Sequence, residues 1–220
     1  HELMRDPAVT NSFMTMYREV AAWAAAHPDY DALDIRRESY GAIRRHFHPV
    51  LFHESPFYFE AGVAGGYAAR YRLPAGPGWI PYLLCQRFYR ERNLIPQEAF
   101  DRLQQRSLQR FSYCCGPFVD QIHNTPPFHA IFTEGFGGVR ARVEAALGNC
   151  PADDPLGRKE LETALVGLDA VHDIQLAFKR EAERRLRGNL PDRERKALER
   201  IARSAARCPW EPPRTFFEGL

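Results

Sequence analysis

Apolar residues recur along much of this chain at three- and four-residue intervals, the spacing that gathers them on one face of an α-helix. Phe13, Met16, Tyr17, Val20 and Ala24 form one such stripe, started by Thr10 or Asn11 and stopped at Pro28. Leu33, Tyr40, Ile43 and Phe47 predict a second helix, and Ile80, Leu83, Leu84 and Phe88 a third. Pro96 fits the first turn of a fourth, with Phe100, Leu103 and Phe111 inward. The most sustained pattern runs through Leu161, Leu165, Leu168, Val171, Ile174 and Phe178. Asp154 and Pro155 supply its N-cap and first position, and Gly188-Asn189 its stop. Pro191 opens a further helix with Leu198, Ile201 and Ala205 inward. The expectation is a mainly α protein whose longest helix lies between Asp154 and Arg187.

Two regions break this period. Residues 48 to 78 are rich in aromatics, glycine and proline, and residues 112 to 130 include Cys114-Cys115-Gly116-Pro117 and His123-Asn124-Thr125-Pro126-Pro127-Phe128. Both are apolar yet irregular, the composition of ordered loops that face a ligand from a rigid scaffold. The few short strands expected belong here.

Composition narrows the classes. A hydrophobic fraction of 45% can bury a substantial core, and the 220 residues suit one domain or part of a larger one. A formal net charge of +2 makes no electrostatic case for nucleic acid or an anionic membrane. Runs such as Glu181 to Arg187 and Arg193 to Arg207 alternate in sign, as solvated helix faces do. No stretch is apolar enough to span a bilayer, and no signal peptide is visible. Five cysteines without framework spacing suggest reduced thiols and a cytoplasmic protein.

Several clusters could carry chemistry. His46, His48 and His53, with Glu54, could chelate a metal, although the intervening Pro49 to Phe52 is apolar and the spacing matches no standard zinc pattern. Cys114-Cys115 reads as two small apolar residues in a packed loop, and Cys85, Cys150 and Cys208 have no partners at metal spacing. Gly62 to Gly66 and Gly135 to Gly138 lack the Lys-Ser or Lys-Thr of a phosphate loop, so they read as places of close backbone approach.

The C-terminal stretch is the most distinctive. Pro209 and the Pro212-Pro213 pair hold an extended backbone, after which Thr215-Phe216-Phe217-Glu218 opens an amphipathic segment with no stop signal before Leu220. The chain also begins at His1 rather than Met, so it is expected to be a piece of a longer polypeptide. The inner faces near Ile201 and Phe216 should then lack part of their packing.

This stretch resembles the glycyl-radical enzymes of the pyruvate formate-lyase superfamily, whose large domain carries a V-P-x-x-P-P-x-T-F-x-E-A-x-Q segment. Pro209, Pro212, Pro213, Thr215, Phe216 and Glu218 stand at the matching positions, with Cys208 for Val and Gly219 for Ala, and Ile201-Ala202 matches a helical Ile-Ala pair before it. The family also has a G-H-x-x-P-D-Y segment, with its His 12 residues before a helix-ending G-L-x-G-I. Here His123 precedes Gly135, which opens Gly135-Phe136-Gly137-Gly138-Val139, by the same interval. Pro126 matches the Pro and Phe128 stands at the Tyr, while Ile122 replaces Gly and Pro127 replaces Asp.

The resemblance covers roughly residues 118 to 220. It implies that residues 1–220 are a single partial domain, the N-terminal portion of the large pyruvate formate-lyase-type domain. The implied fold is part of the helical shell around a ten-stranded α/β barrel. The implied reaction is radical cleavage of a small polar metabolite in anaerobic cytoplasmic metabolism, by a lyase or a formate C-acetyltransferase-like transferase. His123, Asn124 and Phe128 would bind substrate. An imidazole there can hydrogen-bond a substrate oxygen or accept a proton. This segment would hold no metal or cofactor and no catalytic residue. The glycyl radical and the thiyl-forming cysteine would lie elsewhere in the polypeptide, and the radical would be installed by an activating enzyme that uses S-adenosylmethionine and an iron–sulfur cluster. A homodimer is the implied assembly, and the segment alone should be inert. Two other readings stand beside this one: a non-catalytic helical interaction module, and a metal-dependent enzyme built on His46, His48 and His53.

Overall fold

A computed structural model of the chain describes residues 7–49, 51 and 128–219. Among them every regular element is a helix: α1 (Pro7–Ala26), α2 (Ala32–His46), α3 (Phe128–Gly148), α4 (Pro155–Leu186), α5 (Asp192–Ala205) and the single turn α6 (Phe216–Gly219). The predicted helices around Ile80 to Phe88 and Phe100 to Phe111, and most of both irregular regions, lie outside the described residues. Phe128-His129-Ala130, read above as loop, form the first turn of α3, where Phe128 stacks on Phe132 at 6.1 Å.

The first helix starts at Pro7, ahead of the Thr10 or Asn11 expected to cap it, because proline is tolerated in a first turn whose N–H groups have no partners anyway. Met16, Val20 and Ala24 are buried as the stripe requires. The α2 helix is set by Asp31, whose side chain accepts from Leu33 N and Asp34 N while Asp34 accepts in return from Asp31 N at 3.0 Å. Its buried face is Ile35, Ser39, Ala42 and Ile43, so the expected Leu33 and Tyr40 sit at the flanks. The Ser39 hydroxyl is satisfied inside the core by Ile35 O at 2.6 Å.

The 32-residue α4 is the axis on which the others rest: α2, α3 and α5 pack against it, and α1 packs against α2. Asp154 caps its start by accepting from Gly157 N at 2.8 Å. It ends at Leu186, within the expected bounds and with the Gly188-Asn189 stop just beyond. Arg195 of α5 reaches back to donate to Leu186 O and Gly188 O at 3.4 and 3.3 Å, satisfying carbonyls that a further helical turn would otherwise have used. At the other end Lys159 ties α4 to the start of α2 through Asp31 at 2.8 Å and Asp34 at 2.6 Å. Burial pushes the Asp31 carboxyl up, but the hydrogen bonds from Lys159 and the backbone outweigh it and hold Asp31 below the usual range. A line of half-exposed pairs, Arg44 with Asp169 and Asp173 and Arg140 with Asp169, runs across α2, α4 and α3. Such pairs contribute at most about 1 kcal/mol each, so they orient the helices more than they stabilise them.

Apolar burial does the larger share. Phe178 is fully buried in a cluster with Ile35, Ile43, Leu51, Ile174, Leu198 and Ile201, and Phe47 meets its ring edge-on at 5.7 Å. No helix among the described residues is long and apolar enough to cross a membrane. Phe178→Ala is expected to cost about 3–5 kcal/mol, because the ring is fully buried where α2 and α5 pack on α4, which cannot fully collapse onto the space it leaves. The check is the urea midpoint of the variant, with the slope of the transition unchanged.

Candidate functional site

The two segments singled out by motif meet in space. Gly135 interrupts α3 with φ of 68° and ψ of 174°, so the element is two helical stretches joined at a kink. As the resemblance implies, a helical stretch ends at this glycine motif; beyond the turn a second stretch continues to Gly148. A kink frees backbone N–H groups that need acceptors. Phe136 N donates to Pro209 O at 3.0 Å and Gly137 N donates to Trp210 O at 2.8 Å. The C-terminal segment is thus clasped onto α3 by its own backbone.

This clasp explains the glycines. A Cβ on Gly135 would lie 2.7 Å from Glu211 C and closer still to Trp210 O, and its φ is left-handed. A Cβ on Gly137 would lie 3.0 Å from both Trp210 O and Trp210 Nε1. On its other face the Trp210 indole stacks on His172 of α4, centroid to centroid 4.1 Å and 15° from parallel.

Pro209 creates a second need. It stands four residues after Ala205 and has no N–H, so it cannot cap the last turn of α5. Gln175 of α4 does so instead: its Nε2 donates to Ala205 O at 3.1 Å, and its Oε1 accepts from Trp210 N at 2.8 Å. With 1% exposure, Gln175 is the most deeply buried polar side chain described on α4.

Beyond the clasp, Arg207 gathers the end of the chain. It donates to Glu211 Oε2 at 3.0 Å, Glu218 Oε2 at 2.9 Å and Pro212 O at 2.9 Å. Glu218 also accepts from Arg214 N at 2.7 Å, while Glu218 N donates to Thr215 Oγ1 at 3.2 Å, so Thr215 and Glu218 cap the α6 turn. Burial pushes the Glu218 carboxyl up, but the Arg214 N–H and the Arg207 guanidinium outweigh it and hold Glu218 below the usual glutamate range. Burial, with the Glu218 charge, pushes the Cys208 thiol up, so it is a neutral packed side chain and a poor nucleophile.

Of the substrate-binding residues expected from sequence, His123 and Asn124 lie outside the described residues. Phe128 opens α3 and is 52% exposed; with Phe132, 45% exposed, and Phe216, 83% exposed, it belongs to the large apolar side chains left open to solvent. Phe132 lies beside Gly219, 3.4 Å from where a Cβ would stand, which brings the start of α3 next to α6. Ile201, also expected near an open face, is instead fully buried against α4. Its neighbours on the inward face of α5, Leu198 and Ala205, already have a partner helix. The histidine cluster is not gathered within the described residues. His46 Nε2 meets Glu19 at 2.5 Å, His48 is exposed, and His53 and Glu54 lie outside. No three metal-ligating side chains come together among the described residues. Cys85, Cys114 and Cys115 lie outside them too.

Sequence reasoning missed Gln175, His172 and Arg207. The first left a signal: a glutamine beside Ile174, on the inward stripe between Leu168 and Phe178, is a polar group that burial must satisfy. The other two left none, since nothing local says which helix an indole or a guanidinium will meet.

No protein-family profile matches the chain, and no curated protein matches it. Solved structures do. One, described as 1,2-propanediol dehydration in Roseburia inulinivorans, superposes with a TM-score of 0.63 at 14% identity over 93% of this chain and 29% of that one. A second is hydroxyproline dehydratase from Clostridioides difficile with trans-4-hydroxy-L-proline bound, with a TM-score of 0.56 at 12% identity over 94% of this chain and 30% of that one. At these identities the likeness is one of fold, and the chain spans less than a third of the length of either structure.

Two outcomes are expected. Gly135→Ala should destabilise the chain by more than about 2 kcal/mol, from the left-handed backbone and the clash with Glu211 together. Gly148→Ala, with open space around the added carbon, should be neutral or slightly stabilising; parallel thermal melts compare them. For Glu218 the folded carboxyl titrates lower than the unfolded one. Its contribution is therefore fully present above the unfolded value of about 4.3 and fades as pH falls through the folded value. The stability difference between the native chain and Glu218→Gln should be flat from about pH 6 upwards and shrink below about pH 4, as read from unfolding curves across pH.

Proposed function

We propose that this chain is part of a glycyl-radical enzyme of the pyruvate formate-lyase superfamily that eliminates water from a small hydroxylated metabolite. One observation carries the reading. The two sequence segments that resemble that family, Gly135 to Val139 and Cys208 to Gly219, are bonded to each other through Phe136 and Gly137. Chance resemblance in two places gives no reason for the two segments to meet. The fold likeness to two structures concerned with dehydration supports the same class and favours C–O cleavage over the family's other reactions.

On this reading the described helices are a scaffold. His123 and Asn124 precede α3 in the sequence by a few residues, and α3 is pinned to the C-terminal segment from Gly135 onwards. His123 would bond or deprotonate a substrate hydroxyl, Asn124 would bond a second polar group, and Phe128 would close the apolar side. The glycyl radical, installed elsewhere in the polypeptide by an activating enzyme, supplies the one-electron chemistry that starts the elimination. The open Phe128, Phe132 and Phe216 side chains suit packing against the rest of such an enzyme rather than against water.

The test is His123→Ala in the full-length protein with its activating enzyme, S-adenosylmethionine and a reductant. Electron paramagnetic resonance should show the same glycyl-radical content in both proteins, while turnover of the native substrate falls by about 100-fold or more in the variant. Near-normal turnover would reduce His123 to a structural histidine, and no radical in either protein would remove the family reading.

A further inference from the structure

The C-terminal segment from Cys208 to Gly219 forms a strap whose attachments converge on a few groups. Its backbone meets α3 at Phe136 and Gly137, and the Trp210 ring meets His172. Its junction with α5 is bridged by Gln175, and farther along Arg200 of α5 lies over the Phe217 ring at 5.0 Å. That amide straddles Pro209, serving the carbonyl that Pro209 leaves without a donor and the first N–H after it. We propose that Gln175 is the positioning residue of this strap: a latch whose loss frees residues 206–219 as a unit while the α2–α4–α5 core stays folded.

The geometry requires an amide. Ala205 O needs a donor and Trp210 N needs an acceptor, about one side-chain amide apart, in a site closed to water. A carboxylate satisfies Trp210 N but sets its second oxygen against Ala205 O, where two acceptors repel. A protonated carboxyl restores the donor. An apolar side chain of similar volume satisfies neither. Because Trp210 O also accepts from Gly137, losing its N–H partner loosens the α3 clasp at the same residue. The strap carries α6, which lies beside Phe132, so its register sets where the Thr215–Glu218 turn stands relative to the start of α3. The consequence for catalysis rests on the glycyl-radical reading; the latch itself does not.

Hydrogen exchange read by mass spectrometry on the full-length protein tests the latch without any substrate. Gln175→Met should speed exchange of peptides within 206–219 by about tenfold or more, with peptides from α2 and the middle of α4 at the native rate. Gln175→Glu should match Gln175→Met at pH 8. At pH 5.5 it should return towards the native rate measured at the same pH, since burial raises a carboxyl into that range. If Gln175→Met does not fold, Gln175→Glu at the two pH values carries the test alone. Native-rate exchange of the strap in Gln175→Met overturns the latch. So does acceleration spread evenly over α2 and α4, or a Gln175→Glu variant that exchanges alike at both pH values relative to the native protein. Turnover measured in parallel separates the two readings. A freed strap with unchanged turnover keeps the latch and denies it a part in catalysis.

Discussion

A backbone with spare acceptors after α5 and a backbone with spare donors at the Gly135 kink meet and solve each other's problem. The kink in α3 leaves the Phe136 and Gly137 N–H groups without helical acceptors, and the extended segment after α5 offers Pro209 O and Trp210 O. Main-chain groups left unpaired away from water cost up to about 1–3 kcal/mol each, so each feature favours the other. The glycines follow from the meeting, because a side chain at Gly135 or Gly137 would occupy the space of Trp210 and Glu211. The remaining bonds of Gln175, His172 and Arg207 secure what the clasp begins.

This arrangement gives α4 a double part. Its apolar stripe holds α2 and α5 through Ala170, Ile174 and Phe178, while Gln175 and His172, one and two positions from Ile174, hold the strap. A polar pair on the inward edge of an apolar helix is costly unless every group is satisfied, and here the glutamine amide uses both ends. The side of the molecule that leaves Phe128, Phe132 and Phe216 open is the side where α3 begins and the strap ends.

Charge is arranged with the same economy of partners. Carboxylates at Asp31, Glu19 and Glu218 are each held low by a cation and a second hydrogen bond, at the start of α2, between α1 and α2, and at the strap. All three are lost in the same direction as pH falls. The start of α2, the α1–α2 contact and the strap share one dependence on ionised carboxylates.

How much was legible beforehand depended on whether the cause was local. Asp154 with Pro155, the period from Leu161 to Phe178, and Leu198, Ile201 and Ala205 announced α4 and α5, because caps and spacing act within a few residues. The glycine run was readable as a place of close approach, and the spacing of His123, Gly135 and the Pro-rich end was readable as a family pattern. What approaches Gly135 was not readable, since Trp210 lies 75 positions away and no local rule pairs them. The burial of Ile201 likewise came from α4 itself. Local chemistry determined which segments are helices and where the chain must bend. Only the packing of those helices decided that the bend and the strap are partners, because the acceptors each needed lay on a different element.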